Sequence, residues 1–188
     1  MTKVLSLDAS TKTIGISILE YDKKFIPKLI YYNYYKPNDT GKTLKNIDQL
    51  RMVIDARDYI IKLCKEQKID EFVIEDYVKF MGGGSTASTI IPLAILNASL
   101  RIGVLEKLGI EPVALNVMKI RHAIKTGKKA PKKEEIPDVV AKILGIDFPY
   151  IYTTNKKGKT KIASESNDLA DAIAVGLAYV CIKRKENK

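Results

Sequence analysis

Four carboxylates stand where this sequence otherwise reads as buried: Asp8, Glu75, Asp168 and Asp171. Lys3 to Leu7 reads as a strand, with Leu5 and Leu7 on one side and Ser6, Asp8 and Ser10 on the other. A carboxylate on a central apolar strand is costly unless something compensates it. The ordinary reading is that Asp8 initiates the turn at Ala9-Ser10-Thr11. Glu75 ends the short apolar strand Phe72-Val73-Ile74, at the end where ligand sites of open α/β sheets gather. Its neighbour Asp76 points to the opposite face, and the ordinary reading of either acid is a solvated strand end. Asp168 and Asp171 lie three apart at a predicted helix start, so they share one face. A capping or dipole role accounts well for Asp168. It accounts poorly for Asp171, which lies a turn further in, among alanines.

The combination says more than its parts, because three separate elements each bring a carboxylate to apolar surface. Converging carboxylates repel one another unless a hard cation joins them. Two Mg²⁺ ions about 3.5–4 Å apart can align a water and stabilise a leaving oxygen in phosphodiester hydrolysis. Such chemistry requires no nucleophilic side chain.

The elements that must position these acids follow from hydrophobic periodicity. Strands are predicted at 3–7, 13–20 and 25–35, joined by short connections as an antiparallel meander. Leu44, Ile47, Leu50, Ile54, Ile61 and Cys64 predict a helix up to Lys65. A strand at 72–75, a long helix at 88–108, a strand at 111–115 and helices around 117–124 and 134–144 come next. Residues 147–166 read as a hairpin arm with a basic tip. A final helix is predicted over 167–182, capped by Asn167 or Ser166, and the charged tail 183–188 is expected to fray. The expectation is an α/β fold in one domain over 1–188: a mixed sheet of three antiparallel strands followed by parallel strands, with helices on both faces.

Composition narrows the partners. The chain has 188 residues, 32 Lys and Arg against 22 Asp and Glu, and a net charge of +10, which favours a polyanion. Cys64 and Cys181 are far apart in apolar helical patterns, which argues against zinc and for thiols in a reducing cytoplasm. The start of the chain is charged too early for a signal peptide, and no apolar stretch is long enough to span a bilayer. Gly41-Lys42-Thr43 lacks the upstream glycine of a phosphate loop, since Lys36 stands there, so no nucleotide cofactor is expected.

Three strings resemble the motifs of the RuvC family. Leu7-Asp8-Ala9-Ser10-Thr11-Lys12-Thr13-Ile14-Gly15 is similar to its opening motif, Val73-Ile74-Glu75-Asp76-Tyr77-Val78 to its second, and Asn167-Asp168-Leu169-Ala170-Asp171-Ala172-Ile173-Ala174 to its last. Order and spacing match along most of the chain except the arm, which is longer than expected for the family. The resemblance implies an RNase H-like fold, a homodimer, two Mg²⁺ or Mn²⁺ ions held by Asp8, Glu75, Asp168 and Asp171, and paired nicks across a four-way DNA junction. It also implies an aromatic that helps open the junction, for which Tyr77 and Phe80 compete. Phe80 beside the triple glycine is preferred, with core packing as its ordinary reading.

The resemblance further implies that Lys119 and one of Lys132 or Lys133 meet DNA near the cut, Lys119 among the catalytic residues. Arg121, Lys128 and Lys129 lie in the same basic run. A charge run is by default a solvated face; here it would hold the backbone without reading bases. Lys157 and its neighbours on the arm would add a second contact. His122 reads as structural or DNA-facing. Ala94, Ala98 and Ile102, with Ile91, Ile95 and Leu105, suggest a helix face for dimerisation. The alternatives are a nuclease of the same fold acting on other branched DNA or structured RNA, a protein that binds junctions without cutting, and a sugar-kinase or actin-like nucleotide-binding domain.

Overall fold

The computed structural model describes residues 1–37, 46–76, 87–154, 158 and 160–187. Five strands form the main sheet: β1 (Thr2–Ala9), β2 (Ile14–Tyr21), β3 (Pro27–Tyr35), β4 (Glu71–Glu75) and β5 (Pro112–Leu115), in the order β3-β2-β1-β4-β5. The first three are antiparallel neighbours, and β4 and β5 continue parallel to β1. This is the expected mixed sheet.

Side-chain alternation divides the helices between the faces. Leu5, Leu7, Ile14, Ile16, Ile18, Phe72 and Ile74 pack in one cluster with residues of α1 (Asn46–Gln67) and α2 (Ala87–Leu108). Val4, Leu19 and Val73 pack on the other face with α3 (Val117–Ala123), α4 (Ile136–Leu144) and α5 (Glu165–Glu186). By alternation Ser6 and Asp8 share the α5 face, as the sequence predicts. Among the described residues no helix is long and apolar enough to cross a membrane.

Helix α5 is apolar nearly all round, with a run from Ala172 to Val180 wholly buried, which marks it as the central helix of its layer. Its seam with the sheet is built from small residues. A Cβ on Gly176 would stand 2.6 Å from Ser6 Oγ and 2.8 Å from Leu19 Cδ1. Ser6 and Ser17 hydroxyls are bonded at 2.5 Å, and Ser17 Oγ donates to the Ala172 carbonyl at 3.3 Å. Buried hydroxyls need such partners, and here satisfying them ties β1 and β2 to α5.

The ends of α5 differ from expectation. It begins at Glu165, with Ser164 as cap residue, and Ser166 is a buried side chain of the first turn rather than the cap. It continues to Glu186 where fraying was expected from Lys183. Lys183, Arg184 and Lys185 oppose the negative end of the helix dipole, and the Lys183 ammonium is bonded to the Glu71 carboxylate. The predicted hairpin arm contains two short strands, β6 (Tyr152–Thr154) and β7 (Thr160–Ile162), paired antiparallel.

Candidate metal centre

Asp8 is paired with Gly15 across β1 and β2. The turn after it is closed without its help: Ser10 Oγ donates to the Thr13 carbonyl at 2.8 Å and accepts from Thr13 N–H at 3.0 Å. The turn-initiating reading of Asp8 therefore gives way, and its side chain faces α5. Gly15 admits the start of that helix, because a Cβ there would lie 2.1 Å from the Asp168 carbonyl oxygen. Thr13 bonds to the Asp168 carboxylate through its side chain. On the other side of β1, the strand end at Glu75 is held by Asn97 of α2, whose Nδ2 donates to the Glu75 carbonyl at 2.9 Å. The next amide, Asp76 N–H, donates to Leu115 at 2.9 Å.

These placements bring Glu75, Asp168 and Asp171 within electrostatic reach of Asp8. Burial pushes the Asp8 carboxyl well above the usual range, and the charges of Glu75, Asp171 and Asp168 push it further. Burial, and then the charge of Asp171, raises Glu75 to about 7. Asp168 and Asp171 are raised by burial too. Carboxylates crowded and desolvated in this way hold protons unless positive charge replaces them.

Some positive charge is supplied by the chain. Lys133 Nζ stands 3.3 Å from Asp171 Oδ2 and counters the charge of Asp8 and Asp168 as well. Arg121 acts on Glu75 and Asp171 from α3. Lys133 opens a 3-10 turn over Lys133–Glu135, after the buried Pro131, and Lys132 N–H is bonded to Glu135 Oε2 at 2.7 Å. Of the Lys132–Lys133 pair it is thus Lys133 that faces the acids. Lys119 is exposed on α3, its backbone N–H capped by Asn116 Oδ1 at 2.8 Å, and Lys128, Lys129 and Lys132 are exposed. His122 is exposed, with Nδ1 2.9 Å from the Met118 carbonyl. Tyr77, Phe80 and Lys157 lie outside the described residues.

The donor set is wholly carboxylate oxygen, which suits a hard divalent cation such as Mg²⁺ or Mn²⁺. Among the described residues, no three His, Cys, Asp or Glu side chains close to the spacing of a finished ligand shell. The excess of buried acid over Lys133 and Arg121 is the observation that fits a cation here. Two features escaped the sequence reading. In sequence Arg121 reads as a DNA contact with no role toward the acids, and the Ser6–Ser17 seam shows only as two small polar residues on neighbouring strands.

The chain is 32% identical over 178 residues to the crossover junction endodeoxyribonuclease RuvC of Campylobacter concisus (strain 13826), covering 94% of this chain and 95% of that protein. No family model matches. In fold, it resembles RuvC of Thermus thermophilus, with a TM-score of 0.71, 17% identity, and coverage of 98% of this chain and 97% of that one. The complex of T. thermophilus RuvC with a Holliday junction substrate gives 0.69 at 14% identity, covering 98% and 96%. The yeast mitochondrial Holliday junction resolvase gives 0.69 at 10% identity, covering 98% and 81%.

Proposed function

Because the chain belongs to the RuvC family of crossover junction endodeoxyribonucleases, we propose that it resolves four-way DNA junctions by metal-dependent phosphodiester hydrolysis, as a homodimer placing paired nicks. The observation that carries this reading is the convergence of Asp8, Glu75 and Asp171 with Asp168, each raised by burial and three of them acting on Asp8. Asp8, Glu75, Asp168 and Asp171 would hold two Mg²⁺ ions, or Mn²⁺, which supply an acidified water and charge neutralisation at the phosphate.

The other roles belong to the chain. Lys133, beside Asp171, meets a phosphate oxygen drawn to the acids and offsets charge that builds on it. Arg121 balances Glu75 and Asp171. Lys119, on α3, acts near the cut as well, and Lys128, Lys129 and Lys132 hold the strand by its backbone. Phe80, or Tyr77 in its place, enters the branch point, and Lys157 adds a contact from the arm. Thr13 and Ser10 keep the Asp8 turn fixed while DNA enters. Two free cysteines, Cys64 buried and Cys181 half-buried, suit a reducing cytoplasm.

Support for the dimer comes from α2. Ile91, Ile95, Ile102 and Leu105 are exposed large apolar side chains on that helix, and Ile47, Leu50 and Ile54 are exposed on neighbouring α1. Between the helices runs a groove of about 280 Å³ lined by Leu50, Met52, Val53, Ile91, Pro92 and Ile95, with Gln49 as its polar member. Exposed apolar side chains clustered on two neighbouring helices favour association.

The deciding experiment is cleavage of a labelled synthetic four-way junction with Mg²⁺, with linear duplex as control and Asp8→Asn as the comparison. Symmetric nicks in the junction alone, lost in Asp8→Asn while binding persists, are expected. Tight junction binding without cutting in either metal would move the assignment to a binding protein. Cutting of flaps or structured RNA in preference to junctions would change the substrate.

A further inference from the structure

The arm preceding α5 has a firm root and an unsupported blade. At the root, Phe148 is buried and meets Tyr150 edge-on at 4.8 Å. Ile151 N–H donates to Ser166 Oγ at 2.9 Å, and that hydroxyl donates back to the Ile151 carbonyl at 3.2 Å. Ala163 N–H donates to the same carbonyl at 2.8 Å. Ser166 is only 1% exposed, so the arm is fastened inside the first turn of α5, two residues from Asp168.

Past the root the packing stops. Every side chain of β6 and β7 is exposed, including Tyr152 at 63% and Ile162 at 50%. A two-stranded ribbon with no apolar support is marginal in water, so its surface is shaped for contact with something else.

The ribbon has two distinct faces. Opposed residues of an antiparallel pair share a face, and the register pairs Tyr152 with Ile162, Thr153 with Lys161 and Thr154 with Thr160. One face therefore carries Tyr152, Ile162 and the bonded Thr154–Thr160 hydroxyls, 3.2 Å apart. The other carries Thr153 and Lys161. By sequence, residues 152–162 hold four lysines and no acid.

The geometry points to a β-ribbon that lies in the major groove of one duplex arm of the DNA, beside the strand being cut. A two-stranded ribbon fits that groove. Lys161 meets phosphate, while Tyr152 and Ile162 pack on the groove wall. The Ser166 clamp then fixes the duplex in register with Asp168 and Asp171. This rests on branched DNA being the substrate.

The test is titration of a four-way junction and of linear duplex across a salt series, in EDTA so that no strand is cut, with Lys161→Ala, Tyr152→Ala and the native chain. Melting curves check that folding is unchanged, as expected at exposed positions. Loss of one phosphate contact flattens the salt slope by about 0.9 and lowers affinity about fivefold near 0.1 M salt. Tyr152→Ala is expected to weaken binding severalfold at unchanged slope. Native-like affinity and slope in both variants would overturn the ribbon. If the native chain fails to cleave junctions in Mg²⁺, the resolvase reading falls separately. The ribbon then stands if the variants still weaken duplex binding, and falls if they do not.

Discussion

Gly15 and the backbone of Asp168 share a space that no side chain can enter: a Cβ on the glycine would lie 2.1 Å from the Asp168 carbonyl oxygen and 2.6 Å from its carbonyl carbon. The obstacle is backbone, so it cannot rotate away. Gly15 also stands directly opposite Asp8. One close approach therefore sets how far the acid on β1 lies from the acids on α5.

Gly15→Ala is expected to push the start of α5 off the sheet, costing about 2–3 kcal/mol in denaturant unfolding and lowering junction cleavage at least tenfold at saturating Mg²⁺. Gly176→Ala, on the same seam but against Ser6 and Leu19, should cost about 1–3 kcal/mol with a smaller loss of cleavage. Equal losses of cleavage in the two variants would mean that the Gly15 contact has no special bearing on the acids.

The metal-free protein should lose stability as pH rises. A carboxyl whose folded pKa lies above its unfolded value stabilises the fold below the unfolded value, and that contribution is lost as pH rises through the folded one. For Glu75 the window runs from 4.5 to about 7, a loss of about 3 kcal/mol; Asp8, Asp168 and Asp171 shift in the same direction. The Tm measured in EDTA should fall across this window, and Mg²⁺ should restore it at neutral pH. A metal-free Tm that climbs over the same range would contradict the crowding of these acids.

Asp8→Asn removes one of the repelling charges. Its metal-free Tm near pH 7 should exceed that of the native chain, its Mg²⁺-induced gain in Tm should shrink, and cleavage should fall at least about a hundredfold, the scale of a removed electrostatic stabiliser. Loss of cleavage with an undiminished Mg²⁺ effect on Tm would place the cation elsewhere.

Far from the acids, Glu71 accepts from Tyr21 Oη at 2.5 Å and from the Lys183 ammonium, and Lys183 also lies 5.2 Å from the Tyr179 ring centre. Lys183→Ala leaves Glu71 half-buried beside Tyr21 without its cation. A loss of about 1–3 kcal/mol is expected, with faster amide exchange from Lys183 to Glu186 and cleavage retained. Unchanged exchange in that last turn would show that the ion pair does not hold the helix end.

Ile102→Glu on α2 should convert a dimer into monomers in sedimentation at micromolar concentration, and paired nicks into single ones. A native chain that sediments as a strict monomer would sink the dimer.

The acids were legible because strand alternation and helix spacing are local: Asp8 against Leu5 and Leu7, Glu75 after Phe72-Val73-Ile74, and Asp171 a turn after Asp168. The layers were legible for the same reason. What escaped depends on pairs far apart in the chain. Ser17 reaches Ala172 across 155 positions, and Lys183 reaches Glu71 across 112; no periodicity announces either. The start of α5 misled because Ser166 has the right type for a cap, yet its hydroxyl is committed to Ile151. Within the basic run, charge alone could not rank Lys133 over Lys132, since the difference arises from the turn after Pro131.

The bond from Ser17 to Ala172 and the close approach of Gly15 to Asp168 have a consequence for biosynthesis. Synthesis proceeds from the amino end, so β1 and β2 exist well before the helix that completes them. A polypeptide stalled before α5 lacks Asp168, Asp171 and the residues that cover Val4 and Leu19. Two of the four converging acids thus arrive late in translation, together with the side chains that finish the core.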